Sequence, residues 1–229
     1  AAEMARAMKG AKKPGTGSYT IVMELEALGS LLDTLLPSFS GDWKRRGMSR
    51  LEPGKRAFDG KFSLYEDGLA EGSSARPFDD EGTPSVRRAL IESGRTKDFI
   101  YDRETAALAG MPGGGCCGRD SFDSPPRISE SNLVIPRGDM KDLSEIPHFI
   151  EVHSAHGAHT ANPASGDIGL EVSVAFECKG GIRKPLRGFM ISGNVFSLFN
   201  DIEAIESRQQ TLGDLISPRI AFRGVKAVS

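Results

Sequence analysis

Two alternating runs, residues 169–177 and 182–191, flank Lys179-Gly180-Gly181 and limit the possible folds more than any other stretch of the chain. Alternation at period two sends successive side chains to opposite faces, the pattern of a half-buried strand. A Gly-Gly turn between two such runs predicts one long antiparallel hairpin. Further strand signals surround it. Residues 19–23 form an apolar run, 61–65 alternate, and 218–228 read as a final strand or strand pair. Residues 86–92 and 97–101 flank Ser93-Gly94-Arg95, which favours a second hairpin.

Helical signals are fewer. Residues 25–36 place apolar side chains at 25, 28, 31, 32, 35 and 36, a helix stripe that Pro37 stops. Asp102 is placed to cap a helix over 103–109. Asn194 is placed to cap another through 196–205, with Phe199, Ile202 and Ile205 on one stripe. Residues 1–14, Ala- and Lys-rich and ended by Pro14-Gly15, read as the end of a connecting helix that begins before this chain. Residues 15–229 then form one domain. The Gly- and Pro-rich stretch 110–126 reads as an exposed, mobile loop. Strands mixed with a few helices, without regular βαβ alternation, predict an α+β fold: a large, mostly antiparallel sheet with a few packed helices.

Composition removes several classes of function. The 229 residues carry a formal charge of −2, so the basic footprint of a nucleic-acid binder is missing. No run approaches the roughly 20 apolar residues needed to cross a bilayer. The N-terminus has an acid at Glu3 and no apolar segment, unlike a signal peptide. Of three cysteines, two are adjacent (Cys116-Cys117), and neighbouring cysteines bridge only through a strained ring. A reducing, cytoplasmic setting is the expectation.

Several segments, in order, resemble the TldD/PmbA family, once called modulators of DNA gyrase. They begin with Gly17-Ser18-Tyr19-Thr20-Ile21-Val22-Met23-Glu24 and Gly47-Met48-Ser49-Arg50-Leu51. The most specific follows: Phe78-Asp79-Asp80-Glu81-Gly82-Thr83-Pro84, then Leu90-Ile91-Glu92-Ser93-Gly94. Pro126-Arg127 with Ser131-Asn132, Ser165-Gly166-Asp167 and Ile191-Ser192-Gly193-Asn194 complete the set. The resemblance covers nearly the whole chain but only the family's C-terminal half; the family's N-terminal domain is not in this sequence.

The resemblance implies one of two roles. TldD-type members look like zinc proteases whose metal is held by both histidines of a His-Glu-x-x-x-His helix and by a late cysteine, leaving one position for an activated water. Counting back from Gly41-Asp42-Trp43, the matching segment here reads Leu32-Asp33-Thr34-Leu35-Leu36-Pro37, and no cysteine follows Cys178. Leucine and proline cannot bind a metal. The pattern is that of the TldE/PmbA-type partner, with no catalytic residue, metal or cofactor of its own. The implied setting is a cytoplasmic oligomer with a TldD-type, zinc-bearing subunit, cutting unfolded peptides inside a shared chamber. Phe78, Asp79, Asp80, Glu81, Gly82, His159 and Asn162 are the residues the resemblance would place on the chamber wall.

Rival sites have plainer readings. His153, His156 and His159, with His148 and Asp167 nearby, could ligate zinc in an independent hydrolase, but Gly157 and Pro163 oppose a helix, and on a strand i and i+3 face opposite ways. They are read as loop histidines. Asp79, Asp80 and Glu81 could hold a cation, yet acids before Gly82 more simply satisfy backbone donors in a turn. Gly113-Gly114-Gly115 lacks the Gly-Lys-Ser/Thr ending of a phosphate loop. A cysteine nucleophile at 116 or 117 needs a base and a lowered pKa. Lys44-Arg45-Arg46 reads as a solvated face. A peptide-binding module without proteolysis is the third alternative.

Overall fold

A computed structural model describes residues 2–157 and 161–229. The chain forms two compact units: Ala1–Leu35, Arg137–Gln209 and Pro218–Ser229 make the first, and Leu36–Pro136 with Gln210–Ser217 the second.

Helix α1 (Ala2–Ala7) leads to strand β1 (Gly17–Met23), and α2 (Leu25–Leu35) starts two residues on. Leu25, Leu28, Leu31, Leu32 and Leu35 are all buried, as the stripe requires. The α-helix ends at Leu35 and tightens into a 3-10 turn, Leu36–Phe39, that includes Pro37. Proline has no N–H to continue the α pattern. In the second unit α3 (Gly41–Arg45) is capped by Ser40, and β2 (Leu64–Asp67) pairs with β3 (Arg87–Glu92). Ser93 and Gly94, with φ of 48° and 76°, turn β3 into β4 (Arg95–Thr96). Only glycine suits position 94, because a Cβ there would meet the Phe58 carbonyl oxygen at 2.3 Å. The expected strand over 97–101 is not formed; β4 is two residues long.

Asp102 caps α4 (Arg103–Ala109) through the Thr105 N–H, as expected. β5 (Cys117–Gly118) pairs with β6 (Arg127–Ile128), and β7 (Leu133–Val134) closes this stretch. The exposed loop expected over 110–126 is exposed at 111–113 and 119–123 but buried at 114–117, where Cys116 and Cys117 are fully covered. Arg88 holds the segment in, donating to the Cys116 Sγ at 2.6 Å and to the Gly114 carbonyl at 3.1 Å.

Back in the first unit, β8 (His148–His156) pairs with β9 (Asp167–Lys179), which turns at Gly180-Gly181 into β10 (Ile182–Leu186) and also pairs with β11 (Phe189–Asn194). The predicted hairpin is present, with a break at Arg187-Gly188. Asn194 caps α5 through the Phe196 N–H, but α5 is only Val195–Asn200. The expected helix to 205 is replaced by strand β12 (Ile202–Leu212), which pairs with β13 (Leu215–Val228). Pairing with β13 overrides a stripe that residues 202 and 205 would also satisfy on a helix.

The sheet is mixed, not mostly antiparallel. β1 runs parallel to β8, and β7 parallel to the first residues of β13. In the first unit the order β1-β8-β9-β11-β13 closes on itself through the β13–β1 pairing, giving a small barrel. Alternation identifies strands but says nothing of which way a neighbour runs. An apolar cluster of Val22, Leu143, Phe149, Ala204 and Ala221 packs in this unit. No helix among the described residues is long and apolar enough to cross a membrane.

Candidate functional site

The expected turn, Phe78 to Gly82, lies in the second unit and is built around one carboxylate. Asp79 is 2% exposed. Its Oδ1 accepts the N–H groups of Glu81 (3.0 Å) and Thr83 (2.9 Å), and its Oδ2 that of Gly115 (2.9 Å). Gly82 has φ +74°, the left-handed conformation the turn needs. Asp80 accepts the Arg119 N–H and Glu81 the Arg103 N–H at the start of α4, each at 2.8 Å. These acids satisfy backbone donors, the plainer of the two readings of the run. Phe78 stands exposed. Asn162, in the first unit, uses its Oδ1 to accept from Ala164 and Ser165 and bridges to Asp167. His159 lies outside the described residues.

The other histidines are strand residues rather than loop residues. His148, His153 and His156 all belong to β8. His148 pairs with Glu177 at 3.0 Å, and His156 Nε2 lies near Ser154 and Ser173 at 3.4 and 3.5 Å. His153 joins a different group altogether. The cysteines offer no nucleophile: burial pushes the Cys116 thiol up to about 12 and Cys117 to about 11, with nearby carboxylates adding to both.

The densest charged cluster described is in the first unit. Glu24 links β1 to α2, Glu151 and His153 lie on β8, Arg183 on β10, Glu206 on β12 and Arg219 on β13. Arg219 Nη1 reaches Glu24 at 3.2 Å and Glu151 at 3.3 Å, while its Nε and Nη2 grip Glu206 in a two-point bond. Arg183 donates twice to the other Glu151 oxygen, at 3.0 and 2.7 Å, and stacks 3.6 Å above the Phe176 ring. The same guanidinium lies 2.9 Å from His153 Nε2. Donor atoms of Glu24, Glu151 and His153 come within 4.8 Å of one another. Both Glu151 oxygens and the His153 nitrogen nonetheless face guanidinium groups, so the cluster is an ion network held by arginine rather than an open cation site.

Environment drives the two central carboxyls apart. Burial raises Glu24, opposed by Arg219 and His153 but reinforced by the charge and hydrogen bond of Glu151. Burial also pushes Glu151 up, but His153 and Arg183 beside it prevail and hold it at about 2. Arg219 is raised, chiefly by its bond to Glu206. Sequence reasoning found His153 but none of its partners. Glu151 and His153, two apart on a strand, share a face; Arg219, 68 positions from Glu151, gave no signal.

At the family's metal-helix position, Leu32 is 1% exposed on the apolar face of α2 and Asp33 is exposed. Pro37 lies beyond the α-helix, in the 3-10 turn.

A family model for the PmbA/TldA metallopeptidase C-terminal domain matches residues 16–229. The uncharacterized protein MJ0231 of Methanocaldococcus jannaschii is 31% identical over 228 residues, covering 96% of this chain and 54% of that protein. A zinc metalloprotease TldD homolog of Saccharolobus solfataricus is 31% identical over 140 residues, covering 58% of this chain and 30% of that one. The crystal structure of TldE from Thermococcus kodakarensis has a TM-score of 0.91 at 26% identity, covering 99% of this chain and 54% of that chain. The chain thus spans about half the length of MJ0231 and of TldE.

Proposed function

Because this chain belongs to the TldD/PmbA family, we propose that it serves as the metal-free, TldE/PmbA-type subunit of a peptidase whose zinc sits in a TldD-type partner. One observation carries the reading. Where the zinc helix needs two imidazoles, this chain has Leu32, buried on the core face of α2, and Pro37, past the helix end. An aliphatic side chain and a proline ring offer no lone pair to a metal, and no cysteine after Cys178 offers a thiolate. The T. kodakarensis protein that shares this fold at 26% identity is itself named TldE.

In this role the partner supplies the zinc-bound water and its base. This subunit supplies wall and grip for an unfolded peptide in the cytoplasm. An extended peptide adds to a sheet edge through main-chain hydrogen bonds, which tolerates varied side chains. Phe78, exposed beside a turn fixed by Asp79, Asp80, Glu81 and Gly82, is suited to touching substrate. Affinity capture of the tagged protein from its own cells tests the assembly. A TldD-type protein should come down in comparable amount; its consistent absence would point to an independent binding module.

A further inference from the structure

The ion network has a charge imbalance. With His153 neutral, Glu24, Glu151 and Glu206 bring three negative charges, and Arg183 and Arg219 bring two positive ones, leaving one negative charge uncompensated among buried and half-buried groups; Asp142, 4.0 Å from Arg219, is exposed to solvent. One proton would balance it, and the geometry narrows where that proton goes. Guanidinium only donates, so at 2.9 Å the His153 Nε2 is the acceptor of an Arg183 N–H and its lone pair is in use. Both Glu151 oxygens accept from arginine. Glu24 accepts from Arg219 through Oε1 and lies within 4.8 Å of Glu151.

We infer that the cluster is a proton-operated clasp: as the medium turns acid, a single proton enters between Glu24 and Glu151 and fastens the start of α2 to the sheet. The proton replaces a like-charge repulsion with an O–H···O bond. Glu24 is the right residue to transmit it. Its N–H donates to the Val152 carbonyl and its own carbonyl accepts the Leu28 N–H, each at 2.9 Å, so it ties β8 to the first turn of α2. The charged and titratable groups facing Glu24 are Glu151 and His153 from β8 and Arg219 from β13; behind them, against Glu151 or Arg219, lie Cys178 from β9, Arg183 from β10, Glu206 from β12 and Asp142 from the segment before β8. Burial and the neighbouring Glu151 raise Glu24, in agreement with that geometry.

The sign follows. A carboxyl that binds its proton more tightly when folded adds stability at low pH, and that contribution fades as pH rises through its folded pKa. Each unit of tightening is a tenfold gain in the folding equilibrium. Glu151, held at about 2, acts oppositely and only below the ordinary 4.5. Stability should therefore be greater near pH 5 than near pH 8. Urea midpoints over that range, for wild type and Glu24→Gln, read the effect; glutamine keeps the shape and donates permanently to Glu151. The variant should show a flatter profile and a higher midpoint than wild type at pH 8. Carbon-13 titration of the wild-type Glu24 carboxyl, which needs no variant to fold, should show it titrating above the ordinary glutamate range. A variant that keeps the wild-type slope, or a carboxyl that titrates in or below the ordinary range, overturns the clasp.

Discussion

Asp79 and Glu151 are both buried carboxylates, one in each unit, and they are satisfied by opposite means. Asp79 receives three backbone N–H groups, two from its own turn and one from Gly115. Glu151 receives two arginines and sits beside a histidine, with partners drawn from separate strands. Backbone amides carry no net charge, and their positions are fixed by the turn that makes them. Arginine side chains bring full charge but arrive on long stems. The first arrangement is a geometric lock, and the second is a balance of full charges.

The largest effect should come from Arg219→Ala. It leaves Glu206 buried without its two-point partner and Glu151 with Arg183 alone, and breaking such a pair costs about 3–5 kcal/mol, read from urea unfolding. Arg219→Lys should recover only part, because one point charge cannot grip Glu206 at two points while reaching Glu24 and Glu151. Next is Asp79→Ala, which strands the Gly115 N–H and opens the turn, at about 1–3 kcal/mol. Asp79→Asn should cost less, since one oxygen still accepts from residues 81 and 83 while the amide meets Gly115 donor to donor. If Arg219→Ala proves the milder of the two alanine variants, the contrast between lock and balance fails.

Third, Leu32→His with Pro37→His should lower stability by about 1–3 kcal/mol through the loss of a buried aliphatic contact. It should give no chelator-sensitive peptide cleavage. Histidines five apart on an ideal helix stand about 140° apart, and here the α-helix ends before residue 37. The remaining effect is the acid limb. Glu151 is depressed, so its contribution is present above 4.5 and is lost as pH falls toward about 2. Glu151→Gln should remove that limb, which acid titration of the folded fraction checks.

The same contrast explains what the sequence revealed. The lock was legible: Asp79, Thr83 and Gly82 are neighbours, and an acid before a glycine states a turn by local chemistry. So were the Gly180-Gly181 hairpin, the α2 stripe and the Asp102 and Asn194 caps, all set by residues a few positions apart. The balance was not legible, because Arg219 meets Glu24 across 195 positions. The barrel closure escaped for a related reason: it depends on β1 lying between β8 and β13, which alternation does not encode. Ile202 and Ile205 misled because their spacing fits a helix, while their pairing with β13 is a long-range fact.

In the proposed assembly this chain contributes no metal to the peptidase. Metal content of the purified protein, of a TldD-type partner and of their mixture, measured beside cleavage of an unfolded peptide, tests it most directly. The account predicts no stoichiometric zinc and no cleavage by this protein alone. The partner should carry the zinc, and the mixture should cleave in a chelator-sensitive way. One zinc per chain with cleavage in the partner's absence would contradict it.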